Sequence, residues 1–129
     1  MKKNYLLIIA IVLVILGAIL LLRGFNGGED NWIKDEKGIW IKHGNPAETP
    51  DYVLEQQEAI NCALEKFNNF SEEKNSQCLE DCGDYAVDIV NVPRTSEDNL
   101  TENQCEDYVN GDIGHFIELD KEGNIVRIV

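Results

Sequence analysis

Four cysteines, Cys62, Cys78, Cys82 and Cys105, are the side chains of this 129-residue chain most able to do chemistry. Cys78 and Cys82 stand four apart among acids in "SQCLEDCGDY". Such a set can hold zinc, cycle as a redox pair, or close structural disulfides. Zinc sites favour two C-x2–4-C knuckles. The Cys78/Cys82 spacing fits one knuckle, but Cys62 and Cys105 are isolated. A redox motif would be C-x-x-C, which is absent. Disulfides form and persist in oxidising compartments, so the side of a membrane on which these cysteines lie decides the question.

The other candidates carry less. His43 ends one β-like run and His115 begins another, and both read as surface or capping residues. Asp112, His115 and Glu118 are three apart, a step that alternates faces on a strand, so they do not converge. There is no G-x-S-x-G, Gly-rich phosphate loop, H-E-x-x-H or EF-hand loop. The acid pairs Glu72/Glu73, Glu80/Asp81 and Glu106/Asp107 read as solvated faces. No catalytic residue, cofactor site or metal site is expected. Asn69-Phe70-Ser71 and Asn99-Leu100-Thr101 are N-glycosylation sequons in expected loops, so Asn69 and Asn99 are candidate acceptors.

The element that would position the cysteines in a compartment is the run "YLLIIAIVLVILGAILLL", residues 5–22, which carries no charge. As a helix it would be about 27 Å long, near the thickness of a bilayer's hydrocarbon core. It exceeds the ~7–15 residues of a cleaved signal's apolar region, and no A-x-A-like site follows. It reads as an uncleaved anchor within residues 1–23. Lys2 and Lys3 precede the run and Arg23 follows it. The positive-inside rule then puts the N-terminus in the cytoplasm and the rest of the chain outside. All acids follow residue 24, so residues 24–129 carry 8 basic and 24 acidic side chains, a net of −16. That field repels phosphate backbones and excludes nucleic acid as the expected partner. It suits either simple solubility or a cationic partner.

A glycine-rich linker, residues 24–31, leads to the expected extracytoplasmic domain, residues 32–129. "NWIKDEKGIWIKHGNP" reads as a β-hairpin around "DEKG". Its Trp32 and Trp40 either complete the core or form a contact surface. Thr49 and Pro50 read as N-cap and first residue of a helix over 50–68, with Val53, Ile60, Ala63, Leu64 and Phe67 on one face. Ser71 is expected to cap a second helix that Gly83 ends. "DYAVDIVNV" reads as a strand ended by Pro93. Thr101 and Gln104 suggest a capping box for a helix over 102–109. "HFIELDKEGNIVRIV" reads as a hairpin turning at "DKEG", with Gly123 left-handed and the register of Arg127 open.

The expected fold is α+β: a helix pair packed on an antiparallel sheet, in a domain small enough to need disulfide staples. With Cys78 and Cys82 on one helical face, a bond between them would be strained. A helical hairpin turning near Phe70 sets Cys62 opposite Cys78. The expected pairs are therefore Cys62–Cys78 and Cys82–Cys105.

The tract "WIKDEKGIWIKHGNP", from Trp32 to Pro46, resembles one found after the membrane anchor of small, exported, cysteine-containing proteins of archaeal type. The segments "CGDYAVDIVNVPR", "ENQCEDY" and "HFIELDKEGNIVRIV" resemble their C-terminal module. Many such proteins carry a cysteine in the tryptophan tract, where this chain has Lys34 and no cysteine. The resemblance implies an exported, anchored, disulfide-stapled module and brings no activity. The expected function is a membrane-anchored extracytoplasmic module that binds or scaffolds a protein or cell-surface partner. The alternative is a thiol-redox or metal-binding accessory protein using Cys78 and Cys82.

Overall fold

A computed structural model describes residues 11–15, 17, 30–70 and 77–129. Residues 11–15 and 17 are helical. Most of the expected span 5–22 lies outside the described residues, as do most of the linker and the expected cap Ser71. Among the described residues no helix is long and apolar enough to cross a membrane. The chain divides into two compact units: residues 1–32 with 42–47, and residues 33–41 with 48–129.

In the first unit Asn45 N–H donates to Asp30 Oδ1 (2.9 Å), and Lys42 Nζ lies 5.6 Å from the centre of the Trp32 ring. The strands β1 (Asn31–Lys34) and β2 (Trp40–His43) make a two-stranded sheet, as the sequence suggests.

The second unit is a mixed α+β domain. Helix α1 (Asp51–Asn68) is followed by β3 (Cys78–Cys82), β4 (Tyr85–Ile89), two short 3-10 turns, α2 (Glu106–Asn110), β5 (His115–Leu119) and β6 (Ile125–Ile128). The four strands form one sheet in the order β3-β4-β5-β6. β3–β4 and β5–β6 are antiparallel, but β4 and β5 run parallel, so the sheet is mixed rather than antiparallel. A parallel pair cannot be closed by a tight turn and needs a crossover. Residues 90–114 supply it.

The sheet has two covered faces. On one, Ala59 and Ala63 of α1 pack with Leu79, Cys82, Val87, Ile117, Leu119 and Ile128. On the other, Ala86 and Phe116 pack with Cys105, and with Tyr108 and Ile113 of the crossover. Tyr108 meets Phe116 edge to face at 5.1 Å.

The expected second helix is replaced over 78–82 by strand β3. Its main chain bonds to β4, with Cys78 opposite Asp88 and Cys82 opposite Tyr85. The two cysteines are four apart, but their partners are only three apart. A bulge at Leu79–Glu80 absorbs the difference, with Glu80 at φ 101°. Because Asp88 and Tyr85 lie on opposite faces of β4, Cys78 and Cys82 do too. Cys82 therefore bonds to Cys62 of α1 on one face, and Cys78 to Cys105 of the crossover on the other. The expected pairs Cys62–Cys78 and Cys82–Cys105 are corrected accordingly: they assumed a helix that keeps both cysteines on one side. Two disulfides do staple the fold, one for each layer packed on the sheet.

Smaller expectations also change. Pro50, extended at φ −63° and ψ 153°, holds the N-cap position in place of Thr49, and its carbonyl accepts from Val53 and Leu54 N–H. Gly83, expected to end a helix, opens the two-residue loop between β3 and β4. Thr101 and Gln104 make no capping box: the chain there turns as 3-10, with Gln104 N–H donating to Thr101 O, and α2 starts at Glu106. The terminal hairpin forms as read. Asp120 Oδ1 accepts from Glu122 and Asn124 N–H, Gly123 is left-handed at φ 83°, and Arg127 stands opposite Glu118.

Candidate functional site

Helix α1 presents Gln56 on its buried stripe, three residues after Val53 and three before Ala59. The side chain is 1 % exposed and makes two bonds to the tip of the β1–β2 hairpin. Its Oε1 accepts from Trp40 N–H (2.8 Å) and its Nε2 donates to Gly38 O (3.0 Å). Lys37 ties the same tip to β6: its carbonyl accepts from Ile128 N–H (2.7 Å) and its Nζ donates to Ile125 O (2.7 Å). Gly38 has φ 86°, and a Cβ there would collide with the Ile128 carbonyl, so only glycine lets the tip come this close.

This docking sets Trp40 beside α1, where its ring meets Tyr52 at 4.7 Å and a 53° tilt. Lys34 Nζ lies over Trp40, 5.2 Å from its centre. On the sheet, Tyr85 of β4 stacks on His115 of β5 at 5.0 Å and 27°. Together these aromatic pairs line a cleft of about 600 Å³, with the Cys62–Cys82 disulfide also in its wall. Glu55, Glu58 and Asp84 bring carboxylates to the same cleft. Burial pushes the Tyr85 phenol above its ordinary value, against a lowering hydrogen bond with Gln56, and the charges of Glu55 and Asp84 add to the rise. His115 Nε2 is 3.7 Å from Asp84 Oδ2, and its Nδ1 is 3.2 Å from Val129 O.

The opposite face of the sheet carries a second polar cluster. Glu118, 4 % exposed, accepts from Arg94 Nη1 (2.6 Å) and from Arg127 Nε and Nη2 (3.2 and 3.1 Å). Arg127 also lies 4.9 Å from the Phe116 ring centre. Asp88, next to them on β4, has its carboxyl raised to about 6, by burial first and then by the Glu118 charge, against the opposing Cys105 N–H and Arg94. These groups open on a cleft of about 160 Å³. Asp98, 3 % exposed, organises the crossover: it accepts from Asn91 and Thr95 N–H and from the side chains of Gln77, Asn91 and Thr95. Burial alone would raise this carboxyl, but the hydrogen bonds prevail and hold it well below the usual range.

Among the described residues one set of potential metal ligands comes together, Cys78, Asp88 and Cys105, within 4.8 Å of one another. Both sulfurs are bonded to each other, so neither offers a thiolate. Cys78 and Cys82 face opposite sides of the sheet and form no pair with one another. His115 and Glu118 likewise fall on opposite faces of β5. Asn69 and Asn99 are exposed, the first at the C-cap of α1 and the second in a 3-10 turn. Trp32 and Trp40 are each half-buried.

Sequence reasoning missed Gln56, Asp88, Arg94 and Asp98, and named Glu118 and Arg127 without giving them a role. Gln56 had a signal, a polar residue on an apolar helical stripe. Glu118 had none, because alternation along β5 reads as a solvent face until the crossover covers it. Comparison with family models, with curated proteins and with solved structures finds no match to this chain.

Proposed function

We propose that this protein is a membrane-anchored, extracytoplasmic binding module whose Trp40–Tyr52–Tyr85–His115 cleft receives a lysine or arginine side chain of a basic partner protein. The carrying observation is the pairing of aromatic rings with Glu55, Glu58 and Asp84 in one cleft. Aromatic faces and nearby carboxylates both attract an ammonium or guanidinium group. Lys34 over Trp40 is a contact of this kind within the chain and supports the reading. The net −16 of residues 24–129 would steer a cationic partner toward the domain. Anchoring through residues 5–22, with the N-terminus in the cytoplasm, is supported by the uncharged run and its flanking lysines. Two disulfides and no free cysteine among the described residues are in keeping with an oxidising compartment. The resemblance of the Trp32–Pro46 tract to exported archaeal-type proteins points the same way.

The test uses a lysine- and arginine-rich peptide, the full chain, and tryptophan fluorescence. Neutralising Glu55, Glu58 and Asp84 together should weaken binding at least about tenfold, the effect of losing roughly 1.4 kcal/mol. Neutralising three distant acids, Glu97, Glu102 and Glu122, is the control for bulk charge. Equal losses from both triple variants would refute a localised site. Protection of the domain from protease added outside intact spheroplasts would refute the orientation.

A further inference from the structure

The Cys78–Cys105 disulfide has a carboxylate against it. Asp88 Oδ1 lies 3.1 Å from Cys105 Sγ. A disulfide sulfur carries no proton, so in this state the contact is not a hydrogen bond. Once the bond opens, the same distance suits an S–H···O bond between Cys105 and Asp88. The two sulfurs are also unequal in access: Cys105 is 1 % exposed, whereas Cys78 is half-buried. An incoming thiolate therefore reaches Cys78, and the electron pair of the broken bond must settle on the enclosed Cys105. A thiolate in such surroundings is costly unless a proton arrives with it.

We propose that Cys78–Cys105 is a thiol–disulfide exchange site for a dithiol partner, in which Asp88 protonates the Cys105 sulfur as it leaves and recovers that proton when the bond re-forms. This goes beyond the binding cleft, which lies on the other face of the sheet, and does not depend on it. In the forward direction a thiolate of the dithiol attacks Cys78 Sγ, and the Sγ–Sγ bond breaks toward Cys105. Asp88 transfers its proton to Cys105 and stays ionised until the bond re-forms. The second thiol of the partner, deprotonated by solvent, then attacks its own mixed-disulfide sulfur and expels Cys78, which takes a proton from water. The partner leaves oxidised to a disulfide, and the chain gains two thiols.

The groups around Asp88 set its behaviour. Glu118 on β5 and Asp81 on β3 oppose its ionisation, while Arg94 of the crossover and the Cys105 N–H favour it. Arg127 of β6 is engaged by Glu118, and Tyr108 of α2 lines the same cleft. Burial and Glu118 prevail, leaving the carboxyl at about 6 and able to give or take a proton near neutrality.

The experiment reduces the full oxidised chain with dithiothreitol from about pH 5 to about pH 8, with alkylation and peptide mass spectrometry to time the opening of each disulfide. Dividing the rate for Cys78–Cys105 by that for Cys62–Cys82 in the same sample cancels the reductant's own ionisation. For the wild type this ratio should be level at low pH and fall about tenfold per pH unit above about pH 6, as the acid form is depleted. In Asp88→Asn it should be level throughout. Parallel profiles for wild type and Asp88→Asn would overturn the proposal. Circular dichroism and the Cys62–Cys82 rate report whether the variant folds. If it does not, the wild-type profile decides alone, and a level ratio overturns the proposal.

Discussion

Replacing Gln56 with alanine should undock the tip of the β1–β2 hairpin. The amide joins two main-chain groups that have different directions, accepting from Trp40 N–H at 2.8 Å and donating to Gly38 O at 3.0 Å. Alanine removes both bonds at once. Each buried group left without a partner costs about 1–3 kcal/mol. Trp40 and Gly38 are half-buried, so water can recover part of this, and the lower half of the roughly 2–6 kcal/mol sum, about 2–4 kcal/mol, is expected. For a domain of this size that is roughly 8–32 °C in Tm. Calorimetry on the full oxidised chain at neutral pH would measure it, with amide exchange at Trp40 as a local probe. Gln56→Glu sharpens the test. It keeps an acceptor for Trp40 but turns a second acceptor toward Gly38 O, so it should be at least as damaging at neutral pH and partly recover in acid. A Gln56→Ala protein melting within about 2 °C of wild type would refute this account of how the hairpin is held.

Other expectations concern buried charge and connectivity. Asp98→Ala should cost at least about 2 kcal/mol in a denaturant titration, because it strands the Asn91 and Thr95 N–H groups and the Gln77 amide. The folded carboxyl of Asp98 lies below its ordinary value, so its stabilisation should be present at neutral pH and fade as pH falls below about 4. Asp88 has the opposite sign: its folded value of about 6 exceeds the ordinary 3.8, so its contribution is full in acid and is lost as pH rises toward 6. Asp88→Asn should therefore gain stability over wild type progressively between about pH 4 and pH 6, and keep that gain above; midpoints across pH would show it. Non-reducing peptide mapping should find Cys62–Cys82 and Cys78–Cys105, and a Cys62–Cys78 crosslink would reject the strand reading of residues 78–82.

The local elements were legible where a single stretch of chain satisfies itself. The helix over 51–68 shows in the spacing of Val53, Ala63 and their neighbours, and the terminal hairpin shows in "DKEG", whose Asp120 caps its own turn. The staples, too, followed from four cysteines in a small domain. What the chain could not declare was everything that needs a second strand. Cys78 and Cys82, four apart, look like neighbours on a helix. Only pairing with β4 reveals the bulge that turns them to opposite faces, and that bulge decides both disulfides. The parallel β4–β5 pair is likewise invisible locally, because nothing in either strand records its direction relative to the other. It requires the crossover to lie over the sheet, and that cover is what buries Glu118 and Asp98 and brings Asp88 against Cys105. Composition and spacing report what one segment can hide from water. The chemistry of this protein lies where separate segments hide each other's charges.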